Sequence, residues 1–318
     1  DAEGPVVFIG MAETATGLGQ GVFEAWAHAH PGSNPLYLQS TRYRVPGAEW
    51  LGFDESHSHA PRLFLHLPQR DVDRATLAAA TQVVLVDDEL STGNTFVNLV
   101  AALRRVMPAL SRVHIATIAD FTGDRRWLLS ERMGIPCSIG GLLRGAWCFE
   151  HRDDAGPETL LTNSAAQCSA GHEVQLEDAG YGRLGRTTCV SLPKGLLERL
   201  AGEPVEGATL VLGTGEFMHA AFALGRALEA RGVDVRVQST TRSPILLWGA
   251  VGHILAVPDP YGEAVQNYLY NVRPGQYARV LICHETAPND PLMQLATILG
   301  ARLIHFTSDD HAEEIPVC

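Results

Sequence analysis

Residues 83–95 read VVLVDDELSTGNT, and no other stretch constrains the fold as tightly. Four apolar residues run into two adjacent carboxylates, Asp87 and Asp88. The chain then turns through Ser91, Thr92, Gly93, Asn94 and Thr95 into a helical pattern over 94–106. A short apolar run closed by a glycine-bearing turn and a helix is one step of a sheet with crossover helices. The loop amides and the helix N-terminus then make a place for an anion. The carboxylates just upstream repel that anion, so they suit hydroxyl groups or a divalent cation.

The same alternation runs through the chain. Strands are expected at 5–10 (PVVFIG), 36–39, 62–67 (RLFLHL), 82–86 and 112–118 (RVHIATI), with a helix at 18–30. From 150 to 204 the pattern weakens into stretches rich in glycine and charge, apart from a short helical signal in PKGLLERLAG. GEPVEGA reads as a linker, after which strands return at 208–212, 233–238, 279–283 and 301–306, with a helix at 216–231. At 318 residues the chain exceeds the ~250 at which single cores stop growing. The expected organisation is therefore a domain at 1–204 and a smaller α/β domain at 205–318, with no internal repeat. The longest apolar stretch, ILLWGAVGHILAV at 245–257, is interrupted by His253 and falls short of the ~20 residues of a spanning helix. It is expected in the core.

A formal net charge of −12 opposes nonspecific attraction to nucleic acid or anionic lipid, so neither nucleic acid nor membrane is an expected partner. A polyanionic ligand must be held locally, by backbone N–H groups, a metal or a few arginines. The sequence shows no basic, apolar leader with a cleavage site, and its six cysteines are scattered without a C-x-x-C, which suits reduced thiols. The expected location is cytoplasmic. Cys148, His151, Cys168 and His172 have loosely finger-like spacing, but the long interruptions argue against zinc.

A ligand with a phosphate at one end, vicinal hydroxyls in the middle and Mg²⁺ nearby is a ribose phosphate. Residues 83–95 resemble the phosphoribosyl pyrophosphate (PRPP) signature of type I phosphoribosyltransferases. The resemblance implies a type I phosphoribosyltransferase fold, a parallel sheet flanked by helices. It places Asp87 and Asp88 on the ribose 2′ and 3′ hydroxyls and beside Mg²⁺, and Ser91, Thr92, Gly93, Asn94 and Thr95 around the 5′-phosphate. Glu89 departs from the family, most of which is apolar there. GMAETATGLG at 10–19 follows the first strand and opens a helix, as the family's pyrophosphate loop does. Ala12, Glu13, Thr14 and Ala15 would present several N–H groups at once, often through an unusual peptide conformation. The segment 37–66 corresponds in position to the family's mobile catalytic loop and reads as a long loop between two strands. Arg42 and Arg44 would neutralise the departing pyrophosphate, and Glu55, His57 or His59 would move a proton. The two histidines read equally as solvated surface groups or a casual metal pair. Family loops often carry lysine, and this one has none. The hood that usually covers the base precedes the first core strand; here that strand begins at once, so the hood is either built from 120–200 or supplied by an upstream piece.

GTGEFM, TTRSPI and YLYNV in the second domain are similar to the TRSP domain, which is fused to a phosphoribosyltransferase domain in bacterial tellurium-resistance and stress gene clusters. By that resemblance Gly213, Thr214, Gly215, Glu216, Thr240, Thr241, Arg242 and Ser243 would line a second site, for an anionic substrate or product. Arg242 with Ser243 and Pro244 reads equally as a capped turn. DPYGEAV (259–265) and CHET (283–286) fall at strand ends beside the same cleft. The expected function is Mg²⁺-dependent transfer of the 5-phosphoribosyl group from PRPP to a nitrogenous acceptor, with release of pyrophosphate. A homodimer is implied by family analogy alone, and partner proteins by the gene cluster. Two rivals stand beside it: a ligand sensor that keeps the site without transfer, and a chain whose second domain is the catalyst.

Overall fold

The computed structural model describes residues 4–54, 62–148, 150, 180–262, 265–308 and 311–317. Two compact units divide them: the first runs to 148 and takes in 180–189, and the second holds the residues from 190 onward.

In the first unit β1 (Val6–Gly10), α1 (Ala15–Ala29) and β2 (Leu36–Thr41) are followed by an antiparallel ribbon, β3 (Trp50–Asp54) and β4 (Arg62–His66). Then come α2 (Asp71–Ala79), β5 (Gln82–Leu90), α3 (Asn94–Leu103), β6 (Arg112–Asp120), α4 (Arg126–Met133) and β7 (Cys137–Arg144). The seven strands form one sheet in the order β3-β4-β2-β1-β5-β6-β7, parallel from β2 to β7. The central strands read as continuous apolar runs because both faces are covered. Val6, Phe8 and Tyr37 pack with Phe23 of α1 on one face. Val7, Ile9, Val83, Leu85, Val113 and Ile115 share the other with Phe96, Leu99 and Leu103 of α3.

Helix α1 lies unusually close to β1. A Cβ on Gly19 would stand 2.5 Å from the Gly10 Cα, and one on Gly10 would stand 2.6 Å from the Tyr37 hydroxyl oxygen. That hydroxyl donates to the Thr16 carbonyl at 2.8 Å, pinning the start of α1 to β2.

The second unit contains α5 (Lys194–Gly202), β8 (Thr209–Gly213), α6 (His219–Glu229), β9 (Val235–Ser239), the antiparallel hairpin β10 (Ile254–Val257) and β11 (Asn267–Tyr270), β12 (Arg279–His284), α7 (Asp290–Leu299), β13 (Arg302–Ser308) and β14 (His311–Ile315). Its main sheet has the order β14-β13-β12-β8-β9, with only β14 antiparallel. Leu292, Leu295, Ala296 and Leu299 of α7 cover Leu210, Leu212, Ile282 and Leu303. Among the described residues no helix is long and apolar enough to cross a membrane.

Three expectations need correction. The segment 37–66 is not one long loop, since β3 and β4 add an antiparallel ribbon to the sheet edge. Strand β5 runs on through both acids to Leu90, because β6 continues to pair with it as far as Leu90 with Asp120. The apolar stretch 245–257 is not core: Leu247 is 63% and Trp248 84% exposed, and of its thirteen residues only Val257 is fully buried. Hydrophobicity alone did not reveal that the segment loops outward, held at one end by Tyr270, whose hydroxyl takes the Ile245 N–H at 2.8 Å.

An arginine-centred network ties the second unit together. Arg302 makes a two-pronged contact with Glu314 (2.6 and 2.7 Å) and also donates to Glu203, while Arg199 reaches Glu314 at 2.6 Å. Hydrogen bonds from Arg302 hold both carboxyls below the usual range. Their contribution is therefore complete above the ordinary glutamate range and lost as pH falls through the lowered values. His284 acts earlier. Burial, aided by the neighbouring His305, lowers it from 6.5 to about 4 against a carbonyl hydrogen bond that opposes the shift. The unfolded chain thus takes up a proton that the folded one refuses between those values. At about 1.4 kcal/mol per pH unit, roughly 3 kcal/mol is lost on acidification from pH 6.5 to 4. His284→Gln is expected to flatten that part of the urea-unfolding midpoint against pH, leaving the steeper fall at lower pH.

Candidate phosphoribosyl site

In open α/β sheets the crevice lies where connections leave neighbouring strands in opposite directions. In the first unit β1 connects through α1 to β2 on one side, and β5 through α3 to β6 on the other. The loops after β1 and β5 are therefore the two that flank the switch point, and they carry the two motifs singled out from the sequence.

Parallel pairing of Gly10 with Val86 sets the distance between them. Met11 N–H donates to the Val86 carbonyl at 3.0 Å, and Ala12 N–H donates to Ser40 Oγ at 2.8 Å. The Ala12–Glu13 peptide is cis, an unusual conformation of the kind expected in this loop. Thr14 Oγ1 donates to Asp88 Oδ2 at 3.2 Å and so links the two motifs directly. Ala15 begins α1 and is buried; Glu13 is half-buried and Thr14 exposed.

Asp87 and Asp88 close the far side. Asp87 is half-buried and its Oδ1 accepts the Asp88 N–H at 3.0 Å; Asp88 and Glu89 are exposed. The Thr117 hydroxyl lies 3.0 Å from the Asp88 carbonyl oxygen and steadies the strand end from β6. The loop Ser91–Gly93 then enters α3 with Gly93 at φ 69°, a conformation that favours glycine. Gly93, at the N-cap, has no side chain to bond the first-turn amides; Asn94 N–H reaches Thr92 Oγ1 at 3.4 Å, and a helix start of this kind suits an anion. Arg132 of α4 donates to the Thr92 carbonyl at 3.1 Å and to Asn94 Oδ1 at 2.7 Å, and Leu129 sits beneath Gly93.

Two hard-oxygen carboxylates at an accessible strand end suit Mg²⁺, which keeps waters and takes further oxygens from its ligand. No group of three or more metal-binding side chains occurs among the described residues.

Arg42 and Arg44 follow β2 and are half-buried. Glu55, His57 and His59 lie outside the described residues, as do His151, Cys168 and His172. Arg132, Ser40 and Thr117 were missed because each acts from an element distant in sequence and none belongs to a motif. So was Arg183, only 1% exposed, whose guanidinium donates to Thr41 Oγ1 at the end of β2. In the second unit Gly213 ends β8 and Thr214, Gly215 and Glu216 are buried. Thr240 is also buried, Thr241 and Arg242 are half-buried and Ser243 is exposed. A surface depression of about 500 Å³ beside Leu196, Arg199 and Glu314 contains none of these residues.

Two loops flank the switch point of a parallel sheet with paired acids beside them, the layout of an open α/β domain with its crevice at the strand ends. Residues 1–146 match the phosphoribosyl transferase family and residues 188–299 match the TRSP domain found C-terminal to it. Residues 1–146 thus belong to the phosphoribosyl transferase family and residues 188–299 to the TRSP domains that follow it, and the first unit has the type I fold. Among solved structures it is similar to adenine phosphoribosyltransferases. The one from Rhodothermus marinus DSM 4252 shows 17% identity and a TM-score of 0.29, covering 45% of this chain and 70% of that one. The Giardia lamblia enzyme, complexed with 9-deazaadenine, shows 19% and 0.28, covering 47% and 71%. The Saccharomyces cerevisiae enzyme shows 13% and 0.29, covering 45% and 69%. Comparison with curated proteins finds no match.

Proposed function

We propose that the first domain transfers the 5-phosphoribosyl group of PRPP to a nitrogenous acceptor and releases pyrophosphate. The contact from Thr14 to Asp88 carries this reading, because it joins the pyrophosphate-side loop to the diol-side acids within one crevice. Asp87 and Asp88 accept hydrogen bonds from the ribose 2′ and 3′ hydroxyls. Ser91–Thr95 grip the 5′-phosphate through amides and hydroxyls, and Arg132 holds that loop in shape. The backbone from Ala12 to Ala15, with Arg42 and Arg44, receives the negative charge that grows on the leaving group, so stabilisation appears where the transition state needs it. Asp87 and Asp88 would also hold Mg²⁺, which when bound neutralises part of the pyrophosphate charge. Glu55, His57 or His59 would supply the proton transfer.

The second domain, beginning between residues 190 and 205, would serve the same biosynthetic module, whose setting we take to be a bacterial cytoplasmic stress or tellurium-resistance response. The test is pyrophosphate release from PRPP with a panel of purine, pyrimidine and other nitrogenous acceptors, with and without Mg²⁺. Release that depends on one acceptor supports transfer; PRPP binding with no release under any acceptor assigns a sensor instead. Arg132→Ala is expected to weaken PRPP binding about tenfold by calorimetry, since it removes two hydrogen bonds that hold the phosphate loop in shape.

A further inference from the structure

The second unit repeats the plan of the first. Each has a central strand ending in glycine (β1 at Gly10, β8 at Gly213) with a crossover helix to a parallel neighbour (β2, β9). An antiparallel ribbon follows (β3–β4, β10–β11). The chain then returns to the other side of the central strand (β5, β12) and crosses over again to β6 or β13. The correspondence is one of topology and register, not of sequence.

Register makes the correspondence specific. Gly10 pairs with Gln39 and Val86. Gly213 pairs with Ser239, and Leu212 with Ile282, so the next step sets Cys283 beside Gly213. Ser40, Thr41 and Arg42 then correspond to Thr240, Thr241 and Arg242, Glu13 to Glu216, and Asp87 and Asp88 to His284 and Glu285. The hydrogen bonds agree. Gly215 N–H donates to Thr240 Oγ1 at 2.9 Å, as Ala12 N–H does to Ser40 Oγ at 2.8 Å. Ser243 N–H donates to Thr241 Oγ1 at 3.1 Å, as Tyr43 N–H does to Thr41 Oγ1 at 3.1 Å. Thr241 bridges antiparallel to Tyr268 of β11, as Thr41 pairs with Phe64 of β4.

The two sites differ at the phosphate end. At the start of α3 the N-cap is Gly93 and the one side-chain contact to an amide is a long one, Asn94 N–H to Thr92 Oγ1 at 3.4 Å, whereas at α7 the N-cap Asn289 Oδ1 accepts the Leu292 N–H at 3.2 Å, and Asp290 and Pro291 occupy the first turn. A carboxylate and a missing N–H at a helix start turn phosphate away. The diol end stays polar. His284 is fully buried and donates Nδ1–H to the Thr286 carbonyl at 2.9 Å. Its Nε2, and the hydroxyl of Thr286 at 5% exposure, have no hydrogen-bond partner among the described residues. They are two of nine buried side-chain atoms left unpartnered among the described residues, and a group that donates to a bare imidazole nitrogen would satisfy the first. Glu285 alongside accepts the Tyr261 hydroxyl at 2.7 Å.

We infer that the C-terminal domain is a second ribosyl-binding site, which takes sugar hydroxyls at His284, Glu285 and Thr286 and the C1 substituent at Thr214–Glu216 and Arg242, and has no place for a 5′-phosphate. The choice of ribose rests on the reading of the first domain; the buried unpartnered nitrogen does not. The full chain labelled with ¹⁵N-histidine tests it, with His284 assigned by its loss in His284→Gln. Ribose 1-phosphate should move the His284 Nε2 resonance saturably, and Thr286→Val should raise the half-saturating concentration at least fivefold without lowering the melting temperature. Ribose 5-phosphate should need at least tenfold more. No response to either sugar, meaning a buried water is the only occupant, overturns the proposal, and so does an equal response to both. Pyrophosphate release on the same sample keeps the two sites apart. A silent His284 with transfer intact removes only this inference, and a responsive His284 without transfer removes only the reading of the first domain.

Discussion

Replacing both acids, Asp87→Asn with Asp88→Asn, is expected to lower kcat/KM for PRPP by about 10²- to 10⁴-fold while leaving the melting temperature nearly unchanged. On the proposed reading each carboxylate accepts a sugar hydroxyl, and hydrogen bonds to charged groups contribute about 1.5–3 kcal/mol each. Amides keep the shape but donate where an acceptor is needed. Neither side chain supports the core: Asp88 is exposed and Asp87 half-buried. The single Asp88→Asn change should also weaken Mg²⁺-assisted PRPP binding in calorimetry, because it removes the charge and leaves one acceptor oxygen to serve both Thr14 and the ligand. Unaltered isotherms with and without magnesium would falsify the assignment of this strand end to the sugar.

The largest loss of stability is expected at Gly19. Its Cβ position lies 2.5 Å from the Gly10 Cα and 3.2 Å from the Gly10 N, both backbone atoms of the central strand, so no flexible side chain can move aside. Gly19→Val must lift α1 from β1 and open the packing of Phe8 against Phe23. Overpacking of this kind costs about 3 kcal/mol, which lowers the melting temperature of a domain this size by roughly 10 °C. The displaced helix also carries away the loop from Met11 to Thr14, so PRPP affinity should fall even in folded protein. By contrast, the position beyond Gly93 meets the methyl groups of Leu129, which can shift. Gly93→Ala is expected to be milder in thermal unfolding and to show mainly as weaker phosphate binding, through its positive φ.

Much of the fold was legible because parallel strands buried on both faces are written as unbroken apolar runs. The runs at Val6, Leu36, Val83, Val113, Thr209 and Arg279 all became strands. Strand β7, with Ser138, Gly140 and Leu142 exposed on an edge, carries no such run and was missed. The exposed loop at Leu247 and Trp248 misled for the converse reason, since an apolar side chain does not announce whether anything packs on it. The repeat of the two units stayed hidden because Val, Ile and Leu replace one another freely in strands. Correspondence lies in register and hydrogen bonds, and the phosphate loop, the one distinctive motif, survives in only the first copy.

Local chemistry was written in the chain itself: an acid pair at a strand end, a glycine that must take positive φ, small residues where a loop must open its amides. These follow from side-chain size, charge and backbone freedom within a few consecutive residues. Tertiary structure alone decided that Thr14 meets Asp88, that Arg132 braces the loop at Thr92 and Asn94 and that His284 stands where Asp87 does in the other sheet. Such meetings depend on which strands pair and at what offset, and the pairing of Gly10 with Val86 is set by burial of the whole sheet rather than by either residue.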